Sequence, residues 1–316
     1  MKRIIPILLF ISMFIYGYAG TVSEGFNRAT IQSRIKEVEG QFIPPNGDFA
    51  SFEKQVTGYS DLGIIAIPVT EKLVDTYLNT FSESDKDSVY ELFNRVFYKA
   101  VNEFNTTLES KYSTFLAGND IEPEIYDTIN TEKLEFNKSL DICGLTLLNS
   151  EGSYYVDARY DYEYDLFHDR VSPALTEFLK IRKKELKEGF SEDAGMLISF
   201  NQLYDRVVIW EDFMTKYPDF FQIKDARFYY STYLSTLLSG MDNSLPCDTE
   251  TGILLPEVKK LYLKISLLND SRKSTNVVKD YVDLLKTTDF KMPDSLDQFL
   301  QKYDLFSMKG VEPENR

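Results

Sequence analysis

The sequence predicts a mainly α fold: a helical bundle with a small β-hairpin insert, followed by tetratricopeptide-like α-hairpins. Three observations lead there. Apolar residues recur at helical spacing over most of the chain from Val69 onward, one short stretch near Cys143 switches to strand-like patterning, and from Leu203 a helix-pair pattern repeats with a shift of 51 residues. With 43% hydrophobic residues among 316, the chain has ample material for a core.

In chain order, Lys2 and Arg3 give a positive start, Ile4 to Tyr18 an apolar run, and Gly17 and Ala19 a small-residue exit. Residues 1–19 therefore read as a cleavable secretory signal peptide that leaves a chain beginning at Gly20. The run falls short of the roughly 20 residues that span a bilayer, and no second one follows. The mature protein is expected to be exported, periplasmic or secreted, with no stable membrane insertion after cleavage. No cysteine precedes Cys143, which disfavours a lipoprotein. A net charge of -15, more negative still once Lys2 and Arg3 leave, argues against a nucleic-acid partner.

Residues 20 to 62 are polar, broken by Pro44, Pro45 and Gly47, and read as an entry segment with one helix near Thr30 to Val38. The strongest helix has Ser84 as its cap, then Val89, Leu92, Phe93, Val96, Phe97, Ala100, Val101 and Phe104 on one face, running on through Leu108 and Tyr112 towards Gly118. A shorter helix is expected over Thr131 to Leu140. The hairpin, near 144–160, follows from Leu145 to Leu148, a turn at Asn149 to Gly152, and Tyr154 to Tyr160.

Tyr160, Tyr162 and Tyr164 alternate with Asp161, Glu163 and Asp165. As a strand this places phenols opposite carboxylates, either a carbohydrate or cation platform or a half-buried strand or helix start with a wet acidic face. Ser172-Pro173 opens a helix, with Ala174, Leu175, Phe178 and Leu179 inward and the charged run Lys180 to Glu188 as a solvated face. After a soft boundary near residue 195, Val207, Trp210, Met214, Tyr217, Ala226, Tyr230 and Leu234 match Val258, Leu261, Ile265, Leu268, Val277, Tyr281 and Leu285. Phe213 against Lys264 breaks the pattern. A last helix with Asp294 as cap carries Leu296, Phe299, Leu300, Tyr303 and Phe306, and 309–316 reads as a loose tail.

Trp210-Glu211-Asp212-Phe213-Met214-Thr215-Lys216-Tyr217-Pro218, with Ala226 and Tyr230 downstream, resembles the tetratricopeptide-type hairpins of exported bacterial proteins. The resemblance covers about a third of the chain, the 196–308 region, and departs from the ~34-residue period through the loop Gly240 to Pro256. Ser150-Glu151-Gly152 ahead of paired tyrosines is also similar to uncharacterised exported proteins. What the resemblance implies is a helical scaffold and a protein partner.

Chemistry is sparse. His168 is the sole histidine, so two-histidine zinc motifs are excluded; beside Asp169 it is either a lone general base or a surface or helix-cap residue. Nucleotide loops and nucleophile elbows are missing. Asp242, Asn243, Asp248 and Glu250 near Gly252 offer oxygens to calcium but fail the EF-hand spacing, which favours a capped turn. Cys143 and Cys247 can pair in an oxidising compartment or stand as separate thiols. No catalytic, metal or cofactor residue is assigned. The expected binding surface draws on Tyr160, Tyr162, Tyr164, Trp210, Tyr217 and Tyr230, for a noncatalytic module that takes a protein or peptide partner in the envelope. The alternative is an acid-based glycan or cell-wall hydrolase built from two of the many carboxylates.

Overall fold

A computed structural model describes residues 26–116, 131–150 and 152–306. The signal segment and the 309–316 tail lie outside the described residues. The chain divides into two compact units, Met1–Tyr162 and Glu163–Arg316.

Unit one opens with α1 (Arg28–Glu39), whose first free amides are capped by Asn27 accepting from Thr30 N at 2.9 Å. The segment between 20 and 62 then holds a second helix, α2 (Phe49–Tyr59), started by the Asp48 cap and anchored by fully buried Phe52 and Val56. A short 3-10 turn leads into α3 (Ala66–Tyr77), with Ala66, Ile67, Val69, Leu73 and Val74 all buried. The spine is α4 (Glu83–Leu116), 34 residues long. Its cap is Ser82 rather than Ser84: Ser82 Oγ accepts from Asp85 N at 3.3 Å. Of the apolar face predicted for it, the residues from Val89 to Val101 and Leu108 are buried, and Phe104 is half-buried.

After α5 (Thr131–Ile142), β1 (Leu145–Ser150) and β2 (Ser153–Ala158) pair antiparallel, Leu145 opposite Ala158 and Ser150 opposite Ser153. Asn105 of α4 holds this hairpin as another strand would, donating to Val156 O at 2.9 Å and accepting from Val156 N at 2.8 Å. Gly144 has φ +68°, and a Cβ there would lie 2.4 Å from the Tyr162 ring, so both backbone and space demand glycine.

The tyrosine alternation does not form a strand. α6 (Tyr162–Phe167) begins there instead. In unit two, α7 (Pro173–Glu188) starts as the sequence predicts, with Ser172 Oγ accepting from Leu175 N and Pro173 in the first turn. A two-residue-stranded hairpin, β3 (Ser191–Glu192) with β4 (Gly195–Met196), follows. α8 (Phe200–Lys216), opened by a Ser199–Gln202 capping box, pairs with α9 (Ile223–Ser239); α10 (Pro256–Ser266) pairs with α11 (Lys273–Thr287). The unit boundary lies after Tyr162, not near residue 195, because α7 packs with the hairpins: Phe178 meets Trp210 edge-on at 5.4 Å and Phe213 at 5.9 Å.

The 51-residue correspondence is a correspondence of burial: Val207 and Val258, Ala226 and Val277, and Leu234 and Leu285 are all core residues. Side chains tie the hairpins together at helix ends. Glu211 accepts from Lys273 N and Ser274 N at the start of α11, and Asp212 pairs with Arg272 at 3.0 Å. In return Tyr262 and Tyr281 hydroxyls donate to the last-turn carbonyls of Leu237 and Leu238 in α9. Finally α12 (Leu296–Lys302) buries Leu296, Phe299 and Leu300, with Ser295 rather than Asp294 at the cap position and no side-chain cap bond. No helix among the described residues is long and apolar enough to cross a membrane.

Candidate functional site

Leu175, Phe178 and Leu179 define the inward stripe of α7, and three- and four-residue steps extend it to Arg182 and Glu185. Glu185 is thereby buried, at 4% exposure, which corrects the reading of Lys180 to Glu188 as wholly solvated. A buried carboxylate needs donors. Glu185 accepts from Trp210 Nε1 at 2.8 Å, Tyr233 OH at 3.0 Å and Arg182 Nη1 at 3.0 Å. Burial raises its pKa above the ordinary glutamate value, while Arg182, Arg206, Trp210 and Tyr233 act in the opposite direction.

Arg206, 3% exposed, extends the network from α8: its Nη2 donates to Gly189 O at 2.7 Å and Glu188 Oε2 at 3.1 Å. Its Nε is buried without a hydrogen-bond partner among the described residues. Arg182 stacks over the Tyr229 ring at 4.1 Å from the centroid. Of this network, Glu185, Glu188 and Arg206 line an open groove of about 880 Å³ between α7 and α8. Bridges cross the groove at two places: Glu188 to Arg206, and Glu177 to Lys216 at 2.5 Å and Tyr217 OH at 2.9 Å. The pairing of Glu177 with residue 216 and of Glu188 with residue 206 makes the two helices antiparallel. Half-buried Ile181 and Ile209 line the groove between the bridges, and Lys180 and Lys184 stand exposed on its rim.

Of the six aromatic residues expected to form a binding surface, only Tyr217 lines this groove. Tyr162, Trp210 and Tyr230 are core residues, because their rings fill helix and hairpin contacts. Tyr160 is exposed, in the turn after β2, and Tyr164 is half-buried, stacked on His168 at 4.7 Å with Lys183 Nζ 4.6 Å from its ring centroid. His168 Nδ1 lies 2.8 Å from Tyr164 O, a helix-end contact. Lys180, Glu185, Arg206 and Ile209 were missed as a constellation. The available signal was the apolar stripe of α7 running on into Arg182 and Glu185.

The calcium reading of the 240–256 loop does not gather its oxygens. Asp248 Oδ1 accepts from Thr251 N and Thr251 Oγ1, both at 2.8 Å, as a capped turn, whereas Asn243 Nδ2 donates to Asp193 O at 2.6 Å. Cys143 and Cys247 are not joined in a disulfide. Each belongs to a different unit, and burial raises the pKa of the Cys143 thiol, which leaves it an inert packing group. Beside it in unit one, Tyr162 OH donates to Glu71 Oε2 at 2.5 Å, and burial raises the pKa of Glu71. Compared with known proteins, the chain matches no family model, no curated sequence and no solved structure.

Proposed function

We propose that the protein is an exported, noncatalytic module of the tetratricopeptide-like kind, whose C-terminal unit holds a segment of a partner protein in the groove between α7 and α8. The observation that carries this reading is the groove floor: a buried, hydrogen-bonded charge network that fixes both walls before any ligand arrives. Such preorganisation lowers the ordering cost of binding. The apolar strip of Ile181 and Ile209 with a charged rim suits peptide side chains. Export is supported by the charged, apolar and small-residue order of residues 1–19.

The hydrolytic alternative draws less from the same geometry. A catalytic acid and its partner carboxylate must face substrate, whereas Glu185 is occupied by three donors and Glu188 is engaged with Arg206.

The test is a photocrosslinking amino acid placed at Lys184 on the groove rim, with a control at Leu267, which is 84% exposed at the end of α10. Irradiation of the whole protein in its native extract is expected to give a discrete protein adduct from position 184 and none from 267. Adducts from neither position, or equally from both, would overturn the reading.

A further inference from the structure

The choice of partner segment can be narrowed by charge, on the condition that the groove is a binding site as proposed above. Three lining carboxylates already have cations: Glu177 with Lys216, Glu185 with Arg182, and Glu188 with Arg206. Asp169, on the loop ahead of α7, completes the acidic lining. Lys180 has no ion-pair partner among the described residues, and Lys184, one turn further along α7, has only Glu188 at 3.8 Å. The lining as a whole balances four cations against four carboxylates, so Lys180 and Lys184 stand out by position, as two exposed ammonium groups one turn apart on the rim, in a chain of net charge -15. Nucleic acid shares the required sign but would be repelled by the rest of the chain.

Length adds a second restriction. The two bridges leave α7 eleven residues apart, about 16 Å of helix. An extended chain rises roughly 3.3 Å per residue, so about five residues fit between them. Alternate side chains of such a segment point to opposite sides, which matches the Ile181 and Ile209 strip on one side and the rim ammonium groups on the other.

We infer that the groove takes an acidic, extended segment of a partner protein, about five residues long, with carboxylates on Lys180 and Lys184 and alternate apolar side chains on Ile181 and Ile209. Recognition is by charge and spacing rather than by one fixed sequence.

The experiment uses the full chain and three labelled peptides of about seven residues in which Val alternates with Glu, with Gln or with Lys, followed by fluorescence anisotropy. The Glu peptide is expected to bind about tenfold or more tightly than the Gln peptide, to weaken with added salt, and to leave the Lys peptide unbound. The double variant K180E/K184E, altered only at exposed positions, is expected to reverse the order and favour the Lys peptide. Equal binding of Glu and Gln peptides overturns the acidic preference while leaving the groove as a peptide site. Failure of all three peptides also overturns it, and the crosslinking at position 184 then decides separately whether the groove binds a partner at all.

Discussion

Glu71 in unit one and Glu185 in unit two are both glutamates drawn out of water, and their surroundings differ. Among the described residues Glu71 receives one hydrogen bond, from Tyr162, with Arg159 and Lys72 acting on it through space. Glu185 receives three, one of them from a guanidinium, and a second guanidinium lies alongside. The first site can answer a loss by taking up a proton. The second cannot, because removing its anion strands the Arg182 guanidinium and leaves the Trp210 and Tyr233 donors unpaired. Burial alone therefore does not set the importance of a carboxylate; the number and charge of its donors do.

The comparison is broken hardest by Glu185→Ala, which should cost about 3–5 kcal/mol by taking the carboxylate from Arg182 and the acceptor from Trp210 and Tyr233. Urea unfolding followed by fluorescence reads this out in unit two, since Trp210 is the only tryptophan. Trp210→Phe removes one donor while keeping most of the ring packing, and a loss of about 1–3 kcal/mol is expected from circular dichroism melts. Tyr162→Phe in unit one should cost only about 1 kcal/mol, as protonation relieves the stranded Glu71. A Tyr162 effect as large as that of Glu185 would sink the distinction.

Glu71→Gln sharpens the comparison through pH. Because burial raises the folded-state pKa of Glu71, the folded chain binds this proton more tightly than the unfolded chain. The stability from this group is complete below the ordinary glutamate value and is lost as pH rises through the raised one. Replacing Glu71 by Gln should flatten that decline, and the difference between wild-type and variant unfolding midpoints across mildly acidic to neutral pH measures it. A wild-type midpoint that rises with pH relative to that of the variant would contradict the sign.

Much of this was legible in the sequence, for reasons that particular residues make clear. The hairpins α8–α9 and α10–α11 were visible because their core positions repeat, and α7 because Ser172-Pro173 is a strong start signal. α2 was hidden by Pro44, Pro45 and Gly47 just ahead of it and by a buried side consisting mainly of Phe52 and Val56. The segment 160–165 alternates like a strand, but alternation over six residues cannot outweigh the burial of the Tyr162 ring against Phe93 and Phe97. The groove was obscured for a different reason. Charged residues are rarely buried unless paired, and the partners of Glu185 come from Trp210 and Tyr233, 25 and 48 residues away along the chain.

The reciprocal ties between the two hairpins bear on how the C-terminal unit comes apart. Glu211 completes the first turn of α11, and Tyr262 and Tyr281 complete the last turn of α9, so each hairpin supplies what the other's helix ends lack. Neither can fray without exposing orphaned groups in its neighbour. Strong coupling between adjacent repeats turns a string of separable modules into one cooperative block. The α8–α11 stack should therefore melt in a single step, with its innermost amides exchanging with solvent at a common rate.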